Sequence, residues 1–200
     1  MKFVLATNNI KKVAEIRDIF VGSALELISL DEFETQPEME ETKETFLENA
    51  YQKASVIMGY FNMPAIADDS GLEVDALNGE PGVYSKRFAG KNASDRENNE
   101  KLIRELSGVS KENRSARFKT VAVCVFVDGR RVAAVGELEG MIILDERGRN
   151  GFGYDPFFVP DGQDLTFAQM PLEMKNSISH RGKAFRALRA ALEKEISSGL

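Results

Sequence analysis

The sequence has no tryptophan, one cysteine and one histidine among its 200 residues. With Cys124 as the sole thiol there is no disulfide framework, and its place inside "TVAVCVFV" is that of a small buried side chain. Cys124 and His180 cannot assemble the nitrogen and sulfur ligand sets of structural zinc, so any metal is expected to be a hard, oxygen-bound ion such as Mg2+. No apolar run approaches the roughly 20 residues that span a bilayer, and "MKFVLATNNIKK" turns polar too soon for a signal peptide. The expectation is a cytoplasmic protein with no membrane partner. Positive charge is also short: 26 Lys and Arg stand against 32 Asp and Glu, a net charge of −6. That balance argues against a nucleic-acid polymer as the main partner, because such binding leans on a basic surface, but it leaves small anions open.

What is present is an ordinary globular composition, 42% hydrophobic, with length enough for a real core in one domain, or in a domain with a small second lobe. Charge is unevenly spread. Asp31 to Glu48 is acidic, with Lys43 its only base, whereas "MKNSISHRGKAFRALRAALEK" near the C-terminus is basic. "KFVLAT" reads as a buried strand, and "NNIKKVAEIRDIFVG" as a helix with Val13, Ile16, Ile19 and Phe20 on one face and a stop at Gly22. "LELISL" predicts a second strand before an acidic loop. "TFLENAYQKASVIMGYF" has helical spacing with Thr45 as its cap, and "SDRENNEKLIRELSG" is a helix opened by the Ser94–Glu97 capping box. "AIADDSGLEVDAL" is expected as a strand, a turn at Ser70-Gly71 and a second short strand. Two long strand-like runs surround Asp128-Gly129, a favoured hairpin turn, and a long helix closes the chain. The sum is a mixed α/β class.

Four groups of residues have chemistry to offer. "ATNNIKK" sits at a strand-to-helix turn, where backbone amides, the Thr7 hydroxyl, the Asn9 amide and Lys12 can receive an anion. It lacks the P-loop pattern, and a polar turn with a solvated lysine pair accounts for it equally well. An acid set, Glu40, Glu41, Glu44 and Glu48 with Asp68 and Asp69, has the oxygen donors Mg2+ prefers, although most of these glutamates fit a solvated face. Acids ending an apolar strand are costly unless paired, which singles out Asp68 and Asp69. Lys175, His180 and Arg181 form a basic group, with Ser179 as a helix cap; a Ser70–His180 hydrolase is chemically conceivable but lacks a nucleophile elbow. In "GFGYDP", Phe152 and Tyr154 can stack on a base while glycines admit main-chain amides; a tight turn with core aromatics is the plainer account.

Taken in order, Thr7, Asn9 and Lys12, then "EETKETFLENAYQKA", "PAIADDSGLEVDAL", "PGVYSKRFAG", "GFGYDPFFVP" and "SISHRGKA", the chain resembles the inosine triphosphate pyrophosphatase family over essentially its whole length. The resemblance implies an elongated, mixed-sheet α/β fold with two lobes flanking a central substrate cleft, a homodimer, and Mg2+-dependent hydrolysis of ITP, dITP and XTP to monophosphate and pyrophosphate, which keeps them out of DNA and RNA. It further implies that Thr7, Asn8, Asn9, Ile10, Lys11 and Lys12 bind the triphosphate, that Asp69 is proton acceptor and metal ligand, and that Ser70 touches substrate. Phe152, Gly153, Tyr154, Asp155, Lys175, His180 and Arg181 would hold the base and its surroundings. Glu41, or failing it Glu40, would be the second metal acid; Lys12 and Lys53 would neutralise the departing pyrophosphate, and Asp68 would orient neighbouring groups. The rivals are a non-catalytic purine nucleotide sensor and the Ser70–His180 hydrolase.

Overall fold

The computed structural model describes residues 1–197. Strand β1 (Lys2–Leu5) leads through a polar turn into helix α1 (Ile10–Ile19), then strand β2 (Glu26–Ser29), helix α2 (Phe46–Phe61) and strand β3 (Ala65–Val74). Helix α3 (Asp95–Leu106) precedes strands β4 (Ser115–Val125) and β5 (Arg131–Ile142), followed by β6 (Phe158–Pro160), α4 (Leu172–Ile178) and α5 (His180–Ser197). The strands form one mixed sheet in the order β2-β1-β3-β4-β5-β6. β1 runs parallel to both neighbours, with Phe3 opposite Leu27 and Val4 opposite Ala65. Parallel neighbours need crossovers, and α1 and α2 supply them. β5 and β6 are antiparallel.

Local chemistry explains most of the boundaries. Asn9 caps α1 by accepting from the Lys11 and Lys12 amides, and Thr45 caps α2 by accepting from the Glu48 amide. The Ser94–Glu97 capping box opens α3 as the spacing predicts. The β4–β5 hairpin closes where the Phe126 N–H donates to Arg130 O around Gly129, which takes a φ of 88°. Lys119 pairs with Glu137 at 2.6 Å and Arg117 with Glu139 at 3.0 Å as rungs of that hairpin.

The chain divides into two compact units. The first comprises Met1–Asp69, Thr120–Gly136 and the chain from Arg181 onward; its core holds Phe3, Leu5, Ile16, Ile66, Cys124 and Phe185. The second comprises Ser70–Lys119 and Glu137–His180, around Leu72, Leu102, Phe118, Phe158, Phe167 and Met170. β3, β4 and β5 each contribute residues to both.

One expectation needs correction. The turn at Ser70-Gly71 does not exist: β3 runs unbroken from Ala65 to Val74, so Asp68 and Asp69 lie inside a strand and not at its end. β1 and β4 flank β3, and pairing on both sides outweighs the turn preference of Ser-Gly. Both acids are therefore buried, Asp68 at 2% and Asp69 at 5% exposure. Sequence reasoning proposed no element at α4, a seven-residue helix that follows Pro171 and carries Lys175. Proline at a helix start was its signal, but the segment is too short to show a period.

Candidate active site

Three elements of the first unit bring charged groups to the two strand acids. Lys12, in the first turn of α1, donates from Nζ to Asp68 Oδ2 at 2.9 Å, and Arg181 Nε lies 3.6 Å from the same oxygen. On α2, Asn49 and Lys53 stand one turn apart and so share a face. Asn49 Nδ2 donates to Asp69 Oδ2 at 3.1 Å, and Lys53 Nζ sits 3.7 Å from Asp69 Oδ1 and 2.6 Å from Glu41 Oε1. Asn49 also exchanges hydrogen bonds with the backbone of Lys43, N–H to Oδ1 at 2.8 Å and Nδ2 to O at 3.3 Å, which ties the acidic loop to α2. Arg181 donates from a terminal nitrogen to Glu15 Oε2 at 2.5 Å, deep inside the unit. Four carboxylates, Glu15, Glu41, Asp68 and Asp69, thus meet three cations, Lys12, Lys53 and Arg181.

The two aspartates are prepared for different work. Burial opposes the charge on Asp68, yet Lys12 and Arg181 outweigh it and hold the carboxyl far below the usual carboxylate range. Burial dominates at Asp69 and the Glu41 charge adds to it, so despite Lys53 its pKa is pushed up to about 6. Burial lowers the Lys12 ammonium even against the pull of Asp68. At Lys53 the attraction of Asp69 and Glu41 exceeds the cost of burial and raises its pKa. Asp68 is a fixed anion, whereas Asp69 is a buried carboxylate basic enough to take a proton near neutrality.

Other expected residues fall less uniformly. Thr7 Oγ1 accepts from the Asn9 N–H at 3.2 Å, and Asn9 Oδ1 already takes the Lys11 and Lys12 amides, so those two amides are engaged within the turn. Asn8, Ile10 and Lys11 are exposed, Ile10 at 78% although apolar. Of the two candidate glutamates, Glu41 joins the cluster through Lys53, whereas Glu40 is exposed. Glu15 and Asn49 were missed by sequence reasoning. Glu15 reads as one more polar position on an amphipathic helix, and its partner is 166 residues away.

In the second unit, Asp155 Oδ2 accepts from Lys175 Nζ at 2.6 Å and from the Phe152 N–H at 2.9 Å. Lys175 lies 5.0 Å from the centre of the Phe152 ring. A Cβ on Gly151 would run into Asp155 Oδ2, so glycine there is a steric requirement. Tyr154 donates to Ser85 O at 2.8 Å, and burial pushes its phenol up. His180 stacks on Phe118 with centroids 4.6 Å apart and rings 9° from parallel, at 3% exposure. Ser70 lies within continuous β3 and not on a strand-to-helix elbow, which disfavours a Ser70–His180 nucleophile pair.

Comparison with known proteins adds an independent line. The model of the Ham1 family matches residues 3–191. The dITP/XTP pyrophosphatase of Geobacter sulfurreducens is 49% identical over 189 residues, covering 94% of each chain. That of Desulforamulus reducens is 47% identical over 93% of this chain and 92% of its own. Among solved structures, the Staphylococcus aureus Ham1 protein superposes with a TM-score of 0.85 at 42% identity, over 98% of this chain and 100% of that one. A HAM1 protein from Coxiella burnetii gives 0.87 at 39% identity, over 97% and 99%. A strand carrying one fixed and one titratable aspartate, served by lysines from α1 and α2, thus occurs in a chain that belongs to the Ham1 family.

Proposed function

We propose that the protein hydrolyses non-standard purine nucleoside triphosphates, dITP, ITP and XTP, to the monophosphate and pyrophosphate, and so clears them from the nucleotide pool. The observation that carries this reading is Asp69: a buried carboxylate with its pKa raised to about 6, between Asn49 and Lys53. It supports proton transfer from the attacking water as that oxygen bonds to the α-phosphorus. The α–β bridging bond then breaks and its electron pair leaves with pyrophosphate. Lys12 and Lys53 offset the charge that develops on the leaving group. The dITP/XTP pyrophosphatase names of full-length relatives support the substrate class.

The donor set fits Mg2+. Glu41 and Asp69 offer oxygen only, and among the described residues no group of three or more His, Cys, Asp or Glu is arranged to hold a metal. Mg2+ commonly takes one or two carboxylates and completes its shell with water and phosphate oxygens. When bound, the ion would neutralise phosphate charge. Glu41 is the preferred second ligand over the exposed Glu40, and Asn49 orients Asp69. In the second unit, Phe152 to Asp155, Lys175 and His180 are assigned to the purine, with Lys175 held by Asp155. We further place the protein in the cytoplasm as a homodimer, which light scattering on the purified protein would test.

Pyrophosphate release is to be measured with XTP, ITP, dITP, GTP and ATP side by side, with Mg2+ or with chelator, on the parent and on Asp69→Asn. Release from XTP, ITP and dITP that needs the cation, exceeds that from GTP and ATP, and is lost by at least about a hundredfold in Asp69→Asn is the expected result. Tight XTP binding without turnover would replace the enzyme by a sensor.

A further inference from the structure

The loop assigned to the purine is held from outside by α3. The Gly153 N–H donates to Asp95 Oδ2 at 2.8 Å, and the Gly153 carbonyl accepts from Asn99 Nδ2 at 3.0 Å. Residues 95 and 99 are one helical turn apart and share a face, so they grip both polar groups of a single residue. Gly153 adopts a φ of 59°, a conformation with little intrinsic preference of its own to define the loop.

Neither side chain is explained by the needs of its helix. Ser94 and Glu97 already cap α3 through a complete capping box. The Asp95 carboxylate is instead spent on an amide 58 residues away. Asn99 gives up more: its Oδ1 is buried with no hydrogen-bond partner among the described residues, while its Nδ2 is directed at Gly153 O. Asp95, Asn99, Phe152 and Gly153 also line one cavity of about 1060 Å³, with Ile103 and Phe157 as apolar wall. The hold on Gly153 therefore bears directly on the residue before it, whose N–H is tied to Asp155 and whose ring faces Lys175.

We infer that Asp95 and Asn99 are positioning residues for purine recognition, acting through Gly153 to set the conformation of Phe152 to Asp155. This rests on the proposed assignment of that loop to the purine. Removing the grip leaves the hydrolytic cluster of the first unit untouched and lets the loop sample other conformations. The loss should appear in substrate affinity and in base discrimination, with turnover spared.

The test compares Asp95→Ala, Asp95→Asn, Asn99→Leu and Ser94→Ala with the parent. For Asp95→Ala and Asn99→Leu we expect KM for XTP to rise about tenfold, the preference for XTP over GTP to shrink, and kcat to stay within about threefold. Asp95→Asn, whose amide oxygen still accepts from Gly153, should recover most of the loss. Ser94→Ala weakens the helix cap without touching Gly153 and should lower Tm while leaving KM alone. Hydrogen exchange followed by mass spectrometry should show faster exchange in a peptide spanning 150–155 for Asp95→Ala but not for Ser94→Ala. Unchanged KM and exchange in Asp95→Ala, or an Asp95→Asn no better than Asp95→Ala, would overturn the inference while the pyrophosphatase reading stands. A parent that releases no pyrophosphate from any purine triphosphate would remove both.

Discussion

Lys53 and Lys12 solve opposite problems for adjacent residues. Lys53 is shared between Glu41 and Asp69 and leaves Asp69 protonatable near pH 6, whereas Lys12 and Arg181 hold Asp68 ionised. Because the folded-state pKa of Asp69 is raised above its ordinary 3.8, the folded chain binds this proton more tightly than the unfolded one. Its ionisation therefore lowers stability as pH rises from about 4 to about 6, with no further loss above that window. A cation that binds the ionised form reverses the effect. Saturating Mg2+ should raise Tm by several degrees near pH 7.5 and by much less near pH 5, and Asp69→Asn should erase that difference. Lys12→Met should cost about 3 kcal/mol in urea unfolding, because it removes the cation that donates to buried Asp68 at 2.9 Å, the largest of the charges that hold its carboxylate ionised. Lys12→Arg should recover part of it. Loss of activity in Arg181→Ala would not by itself identify a base-reading group, since Arg181 also holds Glu15 and stands beside Asp68.

Short elements and the glycines between them decide where the second unit keeps its functional groups. Gly151→Ala pushes a methyl into Asp155 at a φ of 72°, and should cost about 3 kcal/mol while loosening Lys175. Gly153→Ala meets open space and should cost only about 1 kcal/mol. Thermal unfolding of the two variants separates these outcomes. The helices α1, α2 and α3 were legible because caps such as Thr45 and Ser94, and the apolar period behind them, are local properties of the chain. The hairpin was legible for the same reason at Asp128-Gly129. β3 was not, since its continuity through Ser70-Gly71 depends on flanking strands far away in sequence. The paired acids, the Lys12 motif and Lys175 announced themselves by residue type. Glu15, Asn49, Asp95 and Asn99 did not, because each looks like an ordinary polar helix position until its distant partner is seen.

For the molecule as a whole, neither compact unit is a continuous piece of chain. The boundaries fall at Asp69/Ser70, Lys119/Thr120, Gly136/Glu137 and His180/Arg181, three of them inside strands and one in the first turn of α5. Two coincide with the "ADDSG" and "SHRG" stretches that stand out in the sequence. A fragment such as 70–119 lacks Ile142, Tyr154, Phe157, Phe158, Phe167 and Met170 of its unit's core and should not fold alone, and the full chain should unfold in one cooperative step that far-UV and near-UV signals report together. The lone thiol adds a use for that behaviour. Cys124 has no exposed surface, and burial pushes its pKa well above that of a free cysteine, so in the native protein it is chemically silent. An alkylating reagent therefore reads only the fraction of molecules that open. The rate of modification becomes a gauge of opening in dilute samples, and any cysteine introduced at the surface can carry a probe without competition from the native one.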